Sequence, residues 1–222
     1  IVYNEKTMEG LVVDPSFTPE HYIHAIIQDK IELKSIFLTH AHVDHMAGMN
    51  ALRARFPKAE LYMSRGDASY LKDPSKNLSY EFPDHVLVED PEHWVKGGDT
   101  IKTCGLDFTV IDTPGHTPGG ISFYEAKEGI VFTGDSLFHG SIGRTDFPGG
   151  SMTTLVTAIR KNLFCLPDTV TVLSGHGDPT TIGQEKKTNP FLVGGGLLDG
   201  ALNSVCALAL RSFSSDWWSQ PP

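Results

Sequence analysis

The feature that most constrains this chain is His40-Ala41-His42-Val43-Asp44-His45, set directly after the apolar run Ile36-Phe37-Leu38-Thr39. That run reads as a buried strand. A loop leaving a strand end can aim alternate side chains at one point. Imidazole and carboxylate are ordinary ligands of borderline divalent cations. A lone His is usually a satisfied core or surface residue, but three of them with an Asp at the mouth of a sheet are not well explained that way. The chain carries 10 His in 222 residues, so the histidine content itself points at chemistry.

Three further residues share that context. His116 follows Thr113-Pro114-Gly115 at the end of an expected strand over 108–113. Asp135 follows Phe132-Thr133-Gly134, and His176 follows Leu173-Ser174-Gly175. Each is released from a strand by a Gly, which permits a sharp turn and a close backbone approach. With His40, His42, Asp44 and His45 they make seven potential ligands. That is enough for two metals and more than one tetrahedral ion can use.

The rest of the chain alternates strands and helices, which predicts an α/β or mixed class with helices covering sheet faces. Leu11-Val12-Val13 reads as a strand stopped by Asp14-Pro15. Thr18-Pro19-Glu20 reads as an N-cap with Pro opening a helix. A helix is expected over 47–55, a strand over 61–63 followed by Ser64 as a helix cap, and a long loop over 73–98 with one short strand at 86–88. Segments 100–103 and 108–113 read as a hairpin, 121–124 and 130–133 as a second pair, and 152–163 as a helix leading into a strand over 171–174. A domain over 1–192 is expected, followed by an atypical tail over 193–222. The tail has a Gly194-Gly195-Gly196 break and an apolar helical face over 198–209. The tail is expected to cover apolar surface, either docked on its own domain or in self-association with another chain.

Composition narrows the partners. With 27 acidic and 18 basic residues the formal charge is −9, a poor match to a phosphate backbone, so no nucleic acid is expected. No apolar run approaches the length of a membrane span, so no membrane partner is expected either. Cys104, Cys165 and Cys206 are far apart and odd in number, without a CxxC pair. The chain opens on Ile1 in mid-strand, with no basic-then-apolar leader in what is present. The cytoplasm is the expected compartment.

Thr39-His40-Ala41-His42-Val43-Asp44-His45, Thr113-Pro114-Gly115-His116, Phe132-Thr133-Gly134-Asp135 and Ser174-Gly175-His176-Gly177-Asp178 resemble the ordered motifs of the metallo-β-lactamase fold superfamily. Gly143-Arg144-Thr145-Asp146-Phe147 and the segment 180–191 resemble small bacterial hydrolases of the glyoxalase II type. The resemblance implies a four-layer αβ/βα sandwich with metals at one edge, here lacking its first strand. It implies that His40, His42 and His116 hold one metal, that Asp44, His45 and His176 hold the other, and that Asp135 bridges them. Two zinc ions per chain are implied, with iron or manganese as alternatives.

The chemistry so implied is hydrolysis of a thioester such as S-lactoylglutathione by a hydroxide shared between the metals. Asp44 would orient that hydroxide and Arg144 would offer a fork to a substrate carboxylate. The larger enzymes of this type have a Tyr where this chain has Asp146. His139 reads as a surface or supporting residue. Two alternatives share the fold. Persulfide dioxygenases use one iron, on positions matching His40, His116 and Asp135. Lactone and β-lactam hydrolases use the same metals as the thioesterases.

Overall fold

The computed structural model describes residues 1–193; the expected tail over 193–222 lies, apart from Val193, outside the described residues. Two sheets face one another. The first is built from β1 (Val2–Tyr3), β2 (Glu9–Val13), β3 (Glu32–Phe37), β4 (Glu60–Ser64) and β5 (His93–Val95), in that spatial order. β1 pairs antiparallel with β2 and the rest run parallel. Parallel neighbours need crossovers. Here α1 (Pro19–Gln28) joins β2 to β3, while α2 (Val43–Met46) and α3 (Met49–Arg55) join β3 to β4. A 3₁₀ stretch over 65–72 and the short α4 (Pro74–Asn77) lead towards β5.

The second sheet is a meander of β6 (Thr100–Thr103), β7 (Leu106–Asp112), β8 (Ile121–Glu125) and β9 (Ile130–Gly134). After the small hairpin β10 (Leu137–Phe138) and β11 (Ser141–Ile142), α5 (Met152–Ala158) crosses over. It delivers β12 (Thr171–Ser174), which lies parallel to β9. The edge strand β13 (Thr180–Thr181) and α6 (Ile182–Thr188) follow.

Alternation along the strands sets the layers. In β3, Ile36 joins a core with Ile26, Met49 and Leu52 from the helices, while the next residue, Phe37, faces Phe108 and Phe123 of the other sheet. In β9, Phe132 faces inward and Val131 packs on Leu155, Ile159 and Ile182. Three cores between four layers result, helices–sheet–sheet–helices, as the resemblance implies.

Local departures have local reasons. The expected 47–55 helix is α3, and a separate helical turn that the sequence reading did not foresee, α2, precedes it and carries Asp44 and His45. Thr18 occupies the N-cap position at φ 55°, but its hydroxyl donates to the Phe17 carbonyl and caps nothing. The strand in the 73–98 loop is β5, and residues 86–88 are not a strand. Val88 is a buried plug whose N–H donates to the Leu71 carbonyl. Leu192 is buried in the core behind the second sheet, and its carbonyl accepts from Arg160. Among the described residues, no helix is long and apolar enough to cross a membrane.

Candidate metal centre

All seven candidate ligands leave the ends of strands at one edge of the sandwich. After β3, Thr39 and His40 lead to His42, whose extended backbone starts α2; Asp44 and His45 lie on that single turn. His116 lies in the loop after β7, Asp135 directly after β9 and His176 just beyond β12. The Ile121 N–H ties the two sheets at this edge by donating to the Thr39 carbonyl at 3.0 Å, and within the second sheet the Gly175 N–H donates to the Gly134 carbonyl at 2.9 Å.

Two ligand groups form, His40–His42–His116 and Asp44–His45–Asp135–His176, with one ligand atom from each residue lying within 4.8 Å of the others in its group. Asp135 also approaches the first group, with Oδ2 3.6 Å from His116 Nε2. Outer ring nitrogens are anchored. His45 Nδ1 donates to Asp14 Oδ2 at 2.9 Å, His116 Nδ1 to the Arg144 carbonyl at 2.7 Å, and His40 Nδ1 to the Thr39 hydroxyl at 3.1 Å. An anchored outer N–H fixes the tautomer and turns the other nitrogen's lone pair inward.

The atoms facing the two groups test whether metals fit. His40 Nε2, His45 Nε2 and Asp135 Oδ1 are buried without a hydrogen-bond partner, and His42 turns Nδ1 to within 2.9 Å of His116 Nε2. His45 Nε2 and Asp135 Oδ1 are 3.2 Å apart, but out of hydrogen-bonding line. Buried polar atoms are normally satisfied. Gly175 leaves the space open, because a Cβ there would run into His45 and Asp135. Imidazole with carboxylate suits zinc, iron and manganese. The residues present therefore fit a pair of divalent cations.

Electrostatics separate the histidines. Burial holds His40 well below the usual imidazole range, and burial with the His116 charge holds His42 at about 3. Burial also opposes protonation of His45, but the Asp14 charge and the hydrogen-bonding reach of Asp135 and Asp14 outweigh it and raise it well above that range. Asp135 is lowered, because His45 outweighs the cost of burial.

His176, with 56% of its side chain exposed, and the half-buried Asp44 form the open side. Their Nε2 and Oδ2 are 3.1 Å apart. They border a cavity of about 710 Å³ whose apolar walls include Val13, Phe108 and Phe132, a size suited to a small molecule. On another side Phe147 sets its ring 5.8 Å from that of His42, and the Arg144 guanidinium lies 3.9 Å over Phe147. Arg144 is paired bidentately with Asp146, at 2.8 and 2.7 Å, in an exposed salt bridge. His139 is exposed on the hairpin between β10 and β11.

Sequence reasoning missed two residues. Asp14, which reads as a strand stop, accepts from the Thr39 N–H, the Thr39 hydroxyl and His45. Asp67 is fully buried between the ligand loops. The available signal for Asp14 was its place at a strand end, as for the ligands themselves. In segment 180–191 the buried Glu185 accepts from the Thr180 hydroxyl, the Gly140 N–H and the Asn189 amide, and Asn189 also donates to the Ser141 carbonyl. That segment is a strut for the β10–β11 hairpin.

Two facing sheets between helices, with His and Asp side chains gathered at one edge, define a metallo-β-lactamase fold. Residues 2–176 match the metallo-beta-lactamase superfamily, and the chain belongs to it, a superfamily of metallo-hydrolases. It is 39% identical over 184 residues to hydroxyacylglutathione hydrolase GloC of Haemophilus influenzae, covering 82% of this chain and 86% of that one. Among solved structures it is similar to the BLEG-1 B3 metallo-beta-lactamase, with TM-score 0.82, 37% identity, and 87% and 92% of the two chains covered. It is also similar to TTHA1623 in a di-iron-bound form, with TM-score 0.72, 31% identity, and 81% and 88% covered.

Proposed function

We propose that the chain is a dinuclear metal-dependent hydrolase of thioesters of the S-lactoylglutathione type. The observation that carries the reading is the set of unpartnered buried atoms spread over both ligand groups. Each such atom costs about 1–3 kcal/mol if left unmet. His40, His42 and His116 would hold one cation, and Asp44, His45 and His176 the other, with Asp135 shared. A single iron on His40, His116 and Asp135 would leave His45 Nε2 unmet, which favours two metals over one.

When bound, the pair would supply Lewis acidity towards a carbonyl oxygen and a water acidic enough to act as nucleophile near neutral pH. The chain's own residues do the rest. Burial keeps His40 and His42 neutral, so their lone pairs are available. Asp44, at the open side beside His176, would orient the nucleophile. The leaving thiolate needs no strong acid. Arg144 would exchange Asp146 for a substrate carboxylate; an exposed pair is screened by water, so the exchange costs little.

The glutathione-conjugate reading is supported by the named activity of the 39% identical relative. The B3 metallo-beta-lactamase likeness supports β-lactam hydrolysis as the second reading, and the di-iron form of TTHA1623 supports iron beside zinc as the metal. Metal analysis with parallel assays on S-lactoylglutathione and a cephalosporin tests the proposal. Two metal ions per chain and thioester turnover are expected. One iron per chain without thioester turnover, or faster turnover of the cephalosporin, would overturn it.

A further inference from the structure

Asp67 is fully buried, and its carboxylate accepts three hydrogen bonds. Oδ2 takes the Ala41 N–H at 3.2 Å and the Thr117 hydroxyl at 2.7 Å, and Oδ1 takes the Gly119 N–H at 2.6 Å. Ala41 lies between His40 and His42, and Thr117 follows His116. One side chain therefore ties together the two loops that carry all three residues of one ligand group. The fit is close, because a Cβ on Gly119 would run into Asp67 itself. In the other group, His45 is held by a different carboxylate, Asp14.

We infer that Asp67 is a positioning residue for the metal of the His40–His42–His116 group alone, acting through the two loops. The inference rests on the two-metal reading above. Asp67 would act in two ways. It sets the loop separation that brings His42 Nδ1 to 2.9 Å from His116 Nε2, two nitrogens whose lone pairs repel unless a proton or a cation intervenes. It also sets a buried negative charge behind imidazoles that are themselves neutral, and a buried charge without a counter-charge is costly. A cation held by that group supplies the counter-charge.

Asn at this position keeps the size but turns one acceptor into a donor. If its oxygen faces Ala41 and Thr117, its NH₂ meets the Gly119 N–H; reversed, it meets the Ala41 N–H. Either way one contact becomes repulsive. Removing the Thr117 hydroxyl by Thr117→Val deletes one hydrogen bond and keeps both shape and carboxylate.

The test is stepwise metal binding by chelator competition on the metal-stripped full chain, with zinc as the probe and thermal unfolding as a check on the fold. The variants are D67N, T117V, H176A and the D67N/H176A pair. D67N should weaken one step by about 10- to 100-fold, the usual effect of removing a partner behind the ligands, and leave the other step unchanged. T117V should weaken the same step by less. H176A should weaken the other step, and the double variant both. The inference is overturned if D67N leaves both steps unchanged, weakens both equally, or weakens the step that H176A weakens. Should D67N fail to fold, an unchanged T117V overturns it as well. Substrate takes no part, so a wild-type protein inactive on thioesters would count against the proposed function and not against this inference.

Discussion

Replacing Asp14 with Asn changes one oxygen to an NH₂ and little else, yet it should decide the state of His45. In the wild type, Oδ1 accepts from the Thr39 N–H at 2.8 Å, while Oδ2 accepts from the Thr39 hydroxyl at 2.7 Å and from His45 Nδ1 at 2.9 Å. An Asn that keeps its oxygen on Thr39 N–H turns its NH₂ towards His45 Nδ1. That nitrogen must then accept, so the ring proton moves to Nε2, the atom aimed at Asp135. The reverse orientation sets NH₂ against the Thr39 N–H. Loss of the charge-assisted bond should cost the metal-free fold about 1.5–3 kcal/mol. A ligand held in the wrong tautomer should weaken one metal by about 10- to 100-fold, or about 1.4–2.8 kcal/mol. Chelator competition measures the second figure and denaturant unfolding of the metal-free protein the first. D14N protein that binds both metals with wild-type affinity would refute the assignment of Nε2 as the ligand atom and of Asp14 as its orienter.

Asp135→Ala should lose activity and most of one metal, since a carboxylate shared by two cations is hard to replace with water; metal analysis finding two tightly held ions would contradict this. Arg144→Ala should raise KM for S-lactoylglutathione more than it lowers kcat, because a remote carboxylate is bound equally in ground and transition states. An unchanged KM would mean the carboxylate binds elsewhere. For the metal-free protein, His40 and His42 are held below the ordinary 6.5, so the unfolded chain takes up their protons first as pH falls. Their stabilisation is present above 6.5 and lost as pH falls below it, for His42 down to about 3, at up to about 1.4 kcal/mol per pH unit for each group. His45 is raised, so its contribution is full below 6.5 and lost as pH rises through its folded value. Stability should therefore peak near pH 6.5; a denaturant midpoint still rising steadily above that pH would contradict the balance.

The candidate ligands could be picked out of the residues because they follow strand ends: four share the segment after β3, and His116, Asp135 and His176 follow β7, β9 and β12. Runs such as Ile36–Thr39 followed by His40, or Phe132-Thr133-Gly134 followed by Asp135, carry strand, release and ligand in one window. Alternation likewise made most strands legible, since it records which side chains must face a core. Residues 86–88 and β5 were not separable that way, because a buried plug and a short edge strand carry the same few apolar residues.

Whatever depends on which strand ends meet was decided by the tertiary structure. Asp14 and Asp67 look like ordinary turn and helix-start acids until β2, β3 and β4 are laid side by side and the second sheet brings the loop after β7 against them. Glu185 is a helix residue in sequence and the strut of a hairpin in space. Arg144 reads as a free fork, yet its neighbour Asp146 occupies it. A ligand's identity is written in its own side chain, whereas the partner of a buried carboxylate is set by the close approach of backbones distant in sequence.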